Sequence, residues 1–357
     1  MKKKLVSIGL ISVLTLTSMF VMTGCGEKAP YEGYDLSEYV KVGEYKGLEY
    51  KKAEIKVSES EIKEEIDERL KAAAETKEVK SGVVEDGDTI NVAFEGKIDG
   101  KTFEGGSSES SDITVGTTQM IDGFVEGLVG QKVGETVELN LKFPEDYGKE
   151  DLNGKDVVFT VTINAKKVEE IPDYDLDFIK ANSDFDNFDD YEASVKAALV
   201  EEKKAEALSD AKNEIWSQIV AGSEVIQYPK EKDVVFEETM NSLKQTAATS
   251  GVEWDAYMAQ IGYTEEELEA QMNSYAENQV FQEMIVYSIA KEEGIEITDE
   301  RYEEEMAALL TLYGLDEETF KSYYGQSIED YCEQQGLREN LLLNDVMNKI
   351  MEYSVEV

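Results

Sequence analysis

A chain of 357 residues, 41% hydrophobic and 32% charged, has the length for two or three domains and the means to build packed cores rather than stay disordered. Its 78 Asp and Glu against 35 Lys and Arg leave a formal charge of −43, which repels phosphate backbones and argues against a nucleic-acid partner. With no histidine and two cysteines, imidazole bases, Ser-His-Asp triads, His-ligated metals, cysteine zinc sites and a disulfide framework drop out. The expectation is therefore no metal and no cofactor, with any chemistry done by binding and environment or by carboxylates alone.

In chain order, Lys2, Lys3 and Lys4 precede an uncharged apolar run from Leu5 to Met22, then Thr23, Gly24 and Cys25. Residues 1–24 have the layout of a signal peptide. The small residues before Cys25 resemble a bacterial lipoprotein cleavage box, with Met22 where leucine is usual. A lipid on Cys25 would hold the protein at the extracytoplasmic face of the cell membrane. The rival is an uncleaved membrane span, since the run nears the roughly 18 residues a span needs. Residues 25–40 then form the lipidated cysteine and a polar tether.

Residues 41–80 supply a strand over Leu48–Val57 and a helix. The helix opens on Ser58-Glu59-Ser60-Glu61, a capping box, and carries Ile62, Ile66, Leu70 and Ala74 on one face. From Ser81 the period drops to two. Ile90, Val92 and Phe94 alternate before a turn at Asp99-Gly100; Val137, Leu139, Leu141 and Phe143 alternate again, as do Phe159, Val161 and Ile163. Residues 81–168 thus read as a compact antiparallel β domain. From Pro172 the chain is helical, so 169–357 forms a third region. Tyr191, Val195, Ala198, Leu199, Ala205 and Leu208 mark a long helix ended by Gly222 and Pro229, and Thr264, Thr298 and Ser327 read as N-caps. Asp184-Phe185-Asp186-Asn187 suits a negative helix entry better than a calcium loop, whose glycine and distal Glu are missing.

Four segments of the β region occur in one order: Val92-Ala93-Phe94-Glu95-Gly96, Asp99-Gly100-Lys101-Thr102-Phe103-Glu104, Met120 to Leu128, and Phe143-Pro144-Glu145-Asp146-Tyr147-Gly148. Together they resemble FKBP-type peptidyl-prolyl cis-trans isomerases. The resemblance implies a proline pocket lined by Phe94, Phe103, Ile113, Met120, Ile121, Phe124 and Phe159. It also implies that the Ile121 N–H binds a substrate carbonyl, Tyr147 offers its hydroxyl at the rim, Glu104 lies on the polar side, and Leu152 sits near the site. For Phe94 and Phe159, strand position alone would suit a barrel core equally well. Prolyl isomerisation suits a chain without histidine, because a dry aromatic pocket favours the twisted, less polar amide and needs no nucleophile.

Phe103-Glu104-Gly105-Gly106, Gly47-Leu48-Glu49-Tyr50 and Asp175-Leu176-Asp177-Phe178-Ile179-Lys180 are similar to trigger factor segments. That resemblance implies an α+β protein: an FKBP-type antiparallel β domain inserted in a mainly helical trigger factor C-terminal (SurA-like) chaperone domain. Only 24 residues separate Cys25 from Tyr50, too few for a ribosome-docking domain. The partners expected are unfolded or partly folded exported polypeptides with X-Pro bonds and the membrane, with no ribosome. Seven methionines in the helical region (Met240, Met258, Met272, Met284, Met306, Met347, Met351) and many tyrosines suit a surface for irregular clients, though a helix core would use them too. A non-catalytic holdase and a solute-binding lipoprotein are the alternatives; the latter requires βαβ alternation through two lobes.

Overall fold

The computed structural model describes Tyr31 and residues 33–357. The expected signal segment 1–24 and Cys25 lie outside the described residues. The described chain forms two compact units, one of residues 57–199 and one of residues up to 56 together with 200–357.

In chain order, β1 (Val40–Lys41) and β2 (Glu49–Tyr50) belong to the second unit. The first unit runs through α1 (Glu59–Ala72), β3 (Glu75–Val79), β4 (Thr89–Ile98), β5 (Lys101–Thr114), β6 (Thr136–Lys142), β7 (Asp156–Glu170), α2 (Leu176–Asn182) and the start of α3 (Phe188–Gly222). The rest of α3 returns to the second unit. It is followed by β8 (Glu224–Val225), α4 (Glu231–Thr249), α5 (Trp254–Ile261), α6 (Glu265–Glu293), α7 (Asp299–Tyr313), α8 (Glu317–Tyr324), α9 (Ile328–Gln334), α10 (Leu337–Tyr353) and β9 (Val355–Glu356).

The sheet of the first unit is antiparallel throughout. β4 pairs with β5 on one side and with β7 on the other. The far edge of β7 is shared, with β6 along Asp156–Thr162 and β3 along Lys166–Glu170. The β4–β5 hairpin turns at Asp99 (φ 49°) and Gly100 (φ 78°), the left-handed pair of a two-residue hairpin whose twist matches its strands. Ile90, Val92, Ile113, Leu128, Val161 and Ile163 fill the core beneath.

The start of this sheet departs from the sequence reading. Glu75–Val79 has no apolar alternation and falls, by sequence, on the helical side of Ser81. Backbone pairing with β7 makes it an edge strand, and helix α1 correspondingly ends at Ala72, short of Ala74. The Ser58–Glu61 capping box is formed reciprocally, with Glu61 N–H to Ser58 Oγ at 3.3 Å and Ser58 N–H to Glu61 Oε2 at 2.9 Å. Ile66 and Leu70 of α1, Phe178 and Ile179 of α2, and Tyr191 and Val195 of α3 make a small core of their own. Asp175 and Asn187 cap α2 and α3 through side-chain acceptors at 2.9 Å, so the Asp184–Asn187 stretch serves as a helix entry.

In the second unit α6 is the central element. Ala276, Val280, Met284, Ile285 and Ile289 are all but inaccessible, and Ile215, Trp216 and Ile219 of α3 and Val346 and Ile350 of α10 join them in one core. A helix apolar on so much of its circumference has to lie inside. Thr264, Thr298 and Ser327 cap α6, α7 and α9 as expected. The strand expected over Leu48–Val57 shrinks to β2, which pairs in parallel with β9; a strand persists only where a neighbouring backbone accepts its hydrogen bonds.

Candidate functional site

Four rings expected in the proline pocket meet. Phe94 on β4 lies edge-on to Phe124 (5.6 Å between centroids) and Phe159 on β7 (6.0 Å); Phe124 and Phe159 are 5.1 Å apart, and Phe103 on β5 is 6.3 Å from Phe159. Edge-to-face contacts of this kind contribute about 0.5–1.5 kcal/mol each beyond burial. Phe124 is fully buried as a floor, Phe159 nearly so, and Phe94 and Phe103 are half-buried. The register of β4 slips against β5 between Val92 and Phe94 and again between Glu95 and Lys97. Such bulges re-aim strand side chains.

Two glycines make room for the rings. A Cβ on Gly96 would stand 2.6 Å from Phe159 and 3.0 Å from Phe103, and one on Gly106 would stand 2.5 Å from Phe103. Neither contact is tolerable, so the ring arrangement requires glycine at both positions. Phe143, which the sequence reading places in a motif but not in the site, joins the set. It lies 5.8 Å from Phe103 and 4.7 Å from Tyr147, bridging the floor to the rim. Its signal was its position closing the Val137-Leu139-Leu141 alternation immediately before Pro144.

The rim is loop-borne. Tyr147 is 44% exposed in a loop closed at its base by Phe143 N–H to Lys155 O (2.9 Å) and Gly154 N–H to Pro144 O (3.0 Å). Met120 is exposed and Ile121 half-buried beside a groove bounded by Asp86, Gln119, Val125 and Val129. The Ile121 carbonyl accepts from Phe124 N–H at 3.0 Å, while its own N–H meets no protein acceptor among the described residues. Glu104 is exposed on β5. Ile113 and Leu152, expected in the wall, are buried in the core at 2% and 7% exposure. Ile113 is paired with Ile90 across the β4–β5 ladder.

No group of three or more Cys, Asp and Glu able to hold a metal occurs among the described residues. The shifted carboxyls of this unit lie off the rings. Asp112 is held below its usual range by the Asn91 amide and then by Lys167. Asp88 is also held low: burial pushes it up, but Lys166 at 2.6 Å and the Glu85 N–H outweigh that. The site itself is apolar rings, one open backbone donor and a phenol, a set suited to binding and twisting an amide rather than to proton transfer.

This arrangement defines a class: residues 80–164 match the family of FKBP-type peptidyl-prolyl cis-trans isomerases. Residues 187–352 match the bacterial trigger factor C-terminus. Trigger factors of Staphylococcus carnosus (35% identity; 81% of this chain, 66% of the relative), Halothermothrix orenii (33%; 89% and 72%) and Clostridioides difficile (34%; 79% and 66%) align across both regions. The chain belongs to the trigger factor family. It spans 66% of the length of the Staphylococcus carnosus relative.

Family membership overturns two expectations. The extracytoplasmic, membrane-anchored location and the exclusion of the ribosome as partner are both withdrawn on that match. The lipid on Cys25 falls with them. That inference rested on the order of a few residues at one end, whereas the family match extends over most of the chain. Among the described residues no helix is long and apolar enough to cross a membrane. A two-lobed solute-binding fold is also ruled out, because the described residues form one five-stranded antiparallel sheet and two short two-stranded pairs where βαβ alternation through two lobes was required.

Proposed function

We propose that this protein catalyses cis-trans isomerisation of X-Pro bonds in unfolded or partly folded polypeptides, with residues 81–168 as the catalytic part and residues 41–80 and 169–357 holding the client. The proline ring enters between Phe94, Phe103, Phe124 and Phe159. Ile121 N–H donates to the substrate carbonyl, Tyr147 lends its hydroxyl at the rim, and Met120 and Glu104 flank the entry. Ile113 and Leu152 support the wall from within the core. Rotation about the bond faces a barrier of roughly 18–20 kcal/mol, which arises from amide resonance. A dry pocket disfavours the planar, charge-separated amide relative to the twisted one, and a fixed donor holds the carbonyl as the bond turns.

The observation that supports this reading is the ring set packed against Gly96 and Gly106, with Phe94 and Phe103 only half-buried. Phe94 is the discriminating residue because it is half-buried. Phe94→Ala should lower kcat/KM for a proline tetrapeptide at least about tenfold, a loss of roughly 1.4 kcal/mol in transition-state binding. Circular dichroism must show the variant folded; a folded variant with wild-type kcat/KM would defeat the assignment.

A further inference from the structure

The first stretch of the described chain lies against the helical core of its own unit. Leu36 and Val40 are buried in the same core as Val280 and Met284 of α6, and β1 pairs antiparallel with β8. At its head Tyr31, 5% exposed, donates its phenol to Glu283 Oε2 at 2.8 Å, and Gln279 Nε2 donates to Glu283 Oε1 at 3.2 Å. Glu283 is itself 7% exposed. A second phenol, Tyr34, donates to Glu231 of α4 at 2.9 Å.

Among the described residues no cation pairs with the buried Glu283 carboxyl. The charged groups facing it are Glu231 on α4 and Glu339 on α10, both acidic; Tyr275 and Tyr287 on its own helix are uncharged phenols. Arg338, next to Glu339, is occupied with the Ile297 carbonyl and Asp299. Burial, and secondarily these like charges, pushes the Glu283 carboxyl up, although the donors Tyr31 and Gln279 pull the other way. Burial likewise pushes the Tyr31 phenol far up, so it remains a donor.

We propose that Tyr31 and residues 33–42 form a proton-linked strap, which lies down on α6 when Glu283 is protonated and loosens when Glu283 ionises, baring apolar surface of α6. The sign follows from the environment. A docked carboxyl held above its free value favours docking in acid and loses that contribution as pH rises through the docked value. An undocked Glu283 regains water and ionises freely.

Hydrogen exchange of the full chain from about pH 5 to about pH 9, corrected for intrinsic rates, reads the strap through peptides covering residues 33–42. Wild-type protection should fall with pH by up to about tenfold per unit, the limit for one linked proton. Glu283→Gln, which keeps a neutral group of the same shape, should flatten that slope. Tyr31→Phe removes a donor to the ionised form, so its fall should continue to higher pH before it levels off. pH-independent protection in the wild type, or an undiminished slope in Glu283→Gln, overturns the proposal. Should Glu283→Gln fail to fold, Tyr31→Phe decides: a fall that levels off at the same or a lower pH than in the wild type also overturns it.

Discussion

The two units put their distinctive residues in opposite places. In residues 57–199 the rings turn inward around two glycines, while Met120 and Tyr147 on neighbouring loops are exposed. In the helical unit the methionines sink: Met240, Met258, Met284 and Met347 are buried. Several tyrosines turn out, with Tyr323 79% exposed and Tyr263, Tyr275, Tyr313 and Tyr324 also exposed, while Tyr31, Tyr45 and Tyr302 are buried. A pocket is specified by which residue stands at each position. A surface is specified by which helix faces remain uncovered, and that depends on everything packed behind them.

The contrast breaks most sharply at Gly96. Gly96→Val drives a branched side chain into Phe159 and Phe103, and should abolish peptide isomerisation, a loss of at least about 10²-fold in kcat/KM as expected for misplaced catalytic groups. The helical unit should be untouched, so its thermal transition in calorimetry stays in place while the activity disappears. A Gly96→Val protein with full activity would show that the rings are not the pocket.

Separating the units should sharpen the contrast next. A fragment of residues 57–199 should turn over a short X-Pro peptide about as well as the full chain, since every ring lies within it. On a refolding protein limited by proline isomerisation it should be slower by about 10²-fold, because a tethered second site raises local client concentration. Equal rates on the protein substrate would reduce the helical unit to a scaffold.

A smaller effect distinguishes how the helical unit is held together. Glu293 accepts from Tyr45 (2.7 Å), Tyr353 (2.6 Å) and Lys46 (2.7 Å), and Lys46, with those phenols, pulls its carboxyl down to about 2. A depressed carboxyl contributes stability above its free value, near 4.5, and loses it as pH falls through about 2. Thermal melts should therefore show Glu293→Gln less stable than wild type at neutral pH, with the two converging towards pH 2. A constant gap would exclude the linkage. The smallest change is Tyr147→Phe, which keeps the ring against Phe143 and removes one hydroxyl; peptide kcat/KM should drop a few-fold, with stability changing by less than about 0.5 kcal/mol.

The parts legible in sequence share a reason. Capping boxes at Ser58 and Thr264 are settled by side chains three residues apart, and both form. The Asp99-Gly100 turn is settled by residues that tolerate a left-handed backbone. Phe94, Phe103, Phe124 and Phe159 were legible through their motifs and do meet. Strand β3 was not legible, because its residues alternate no apolar groups and only the edge of β7 makes them a strand. Nor was the burial of Glu283, which reads as one more acid on an acidic helix.

The sequence by itself determined the family, the antiparallel sheet between helices, the helix entries and the identity of the four rings that meet, because each rests on residue identity or on spacing along a few turns of chain. Tertiary structure alone decided that Gly96 and Gly106 are obligatory, that Phe143 joins Phe103 to Tyr147, which helical methionines are core and which tyrosines surface, and that Glu283 is buried against Tyr31. Those outcomes depend on contacts between residues distant in the chain (Tyr31 and Glu283 are 252 positions apart), where no local pattern carries the information.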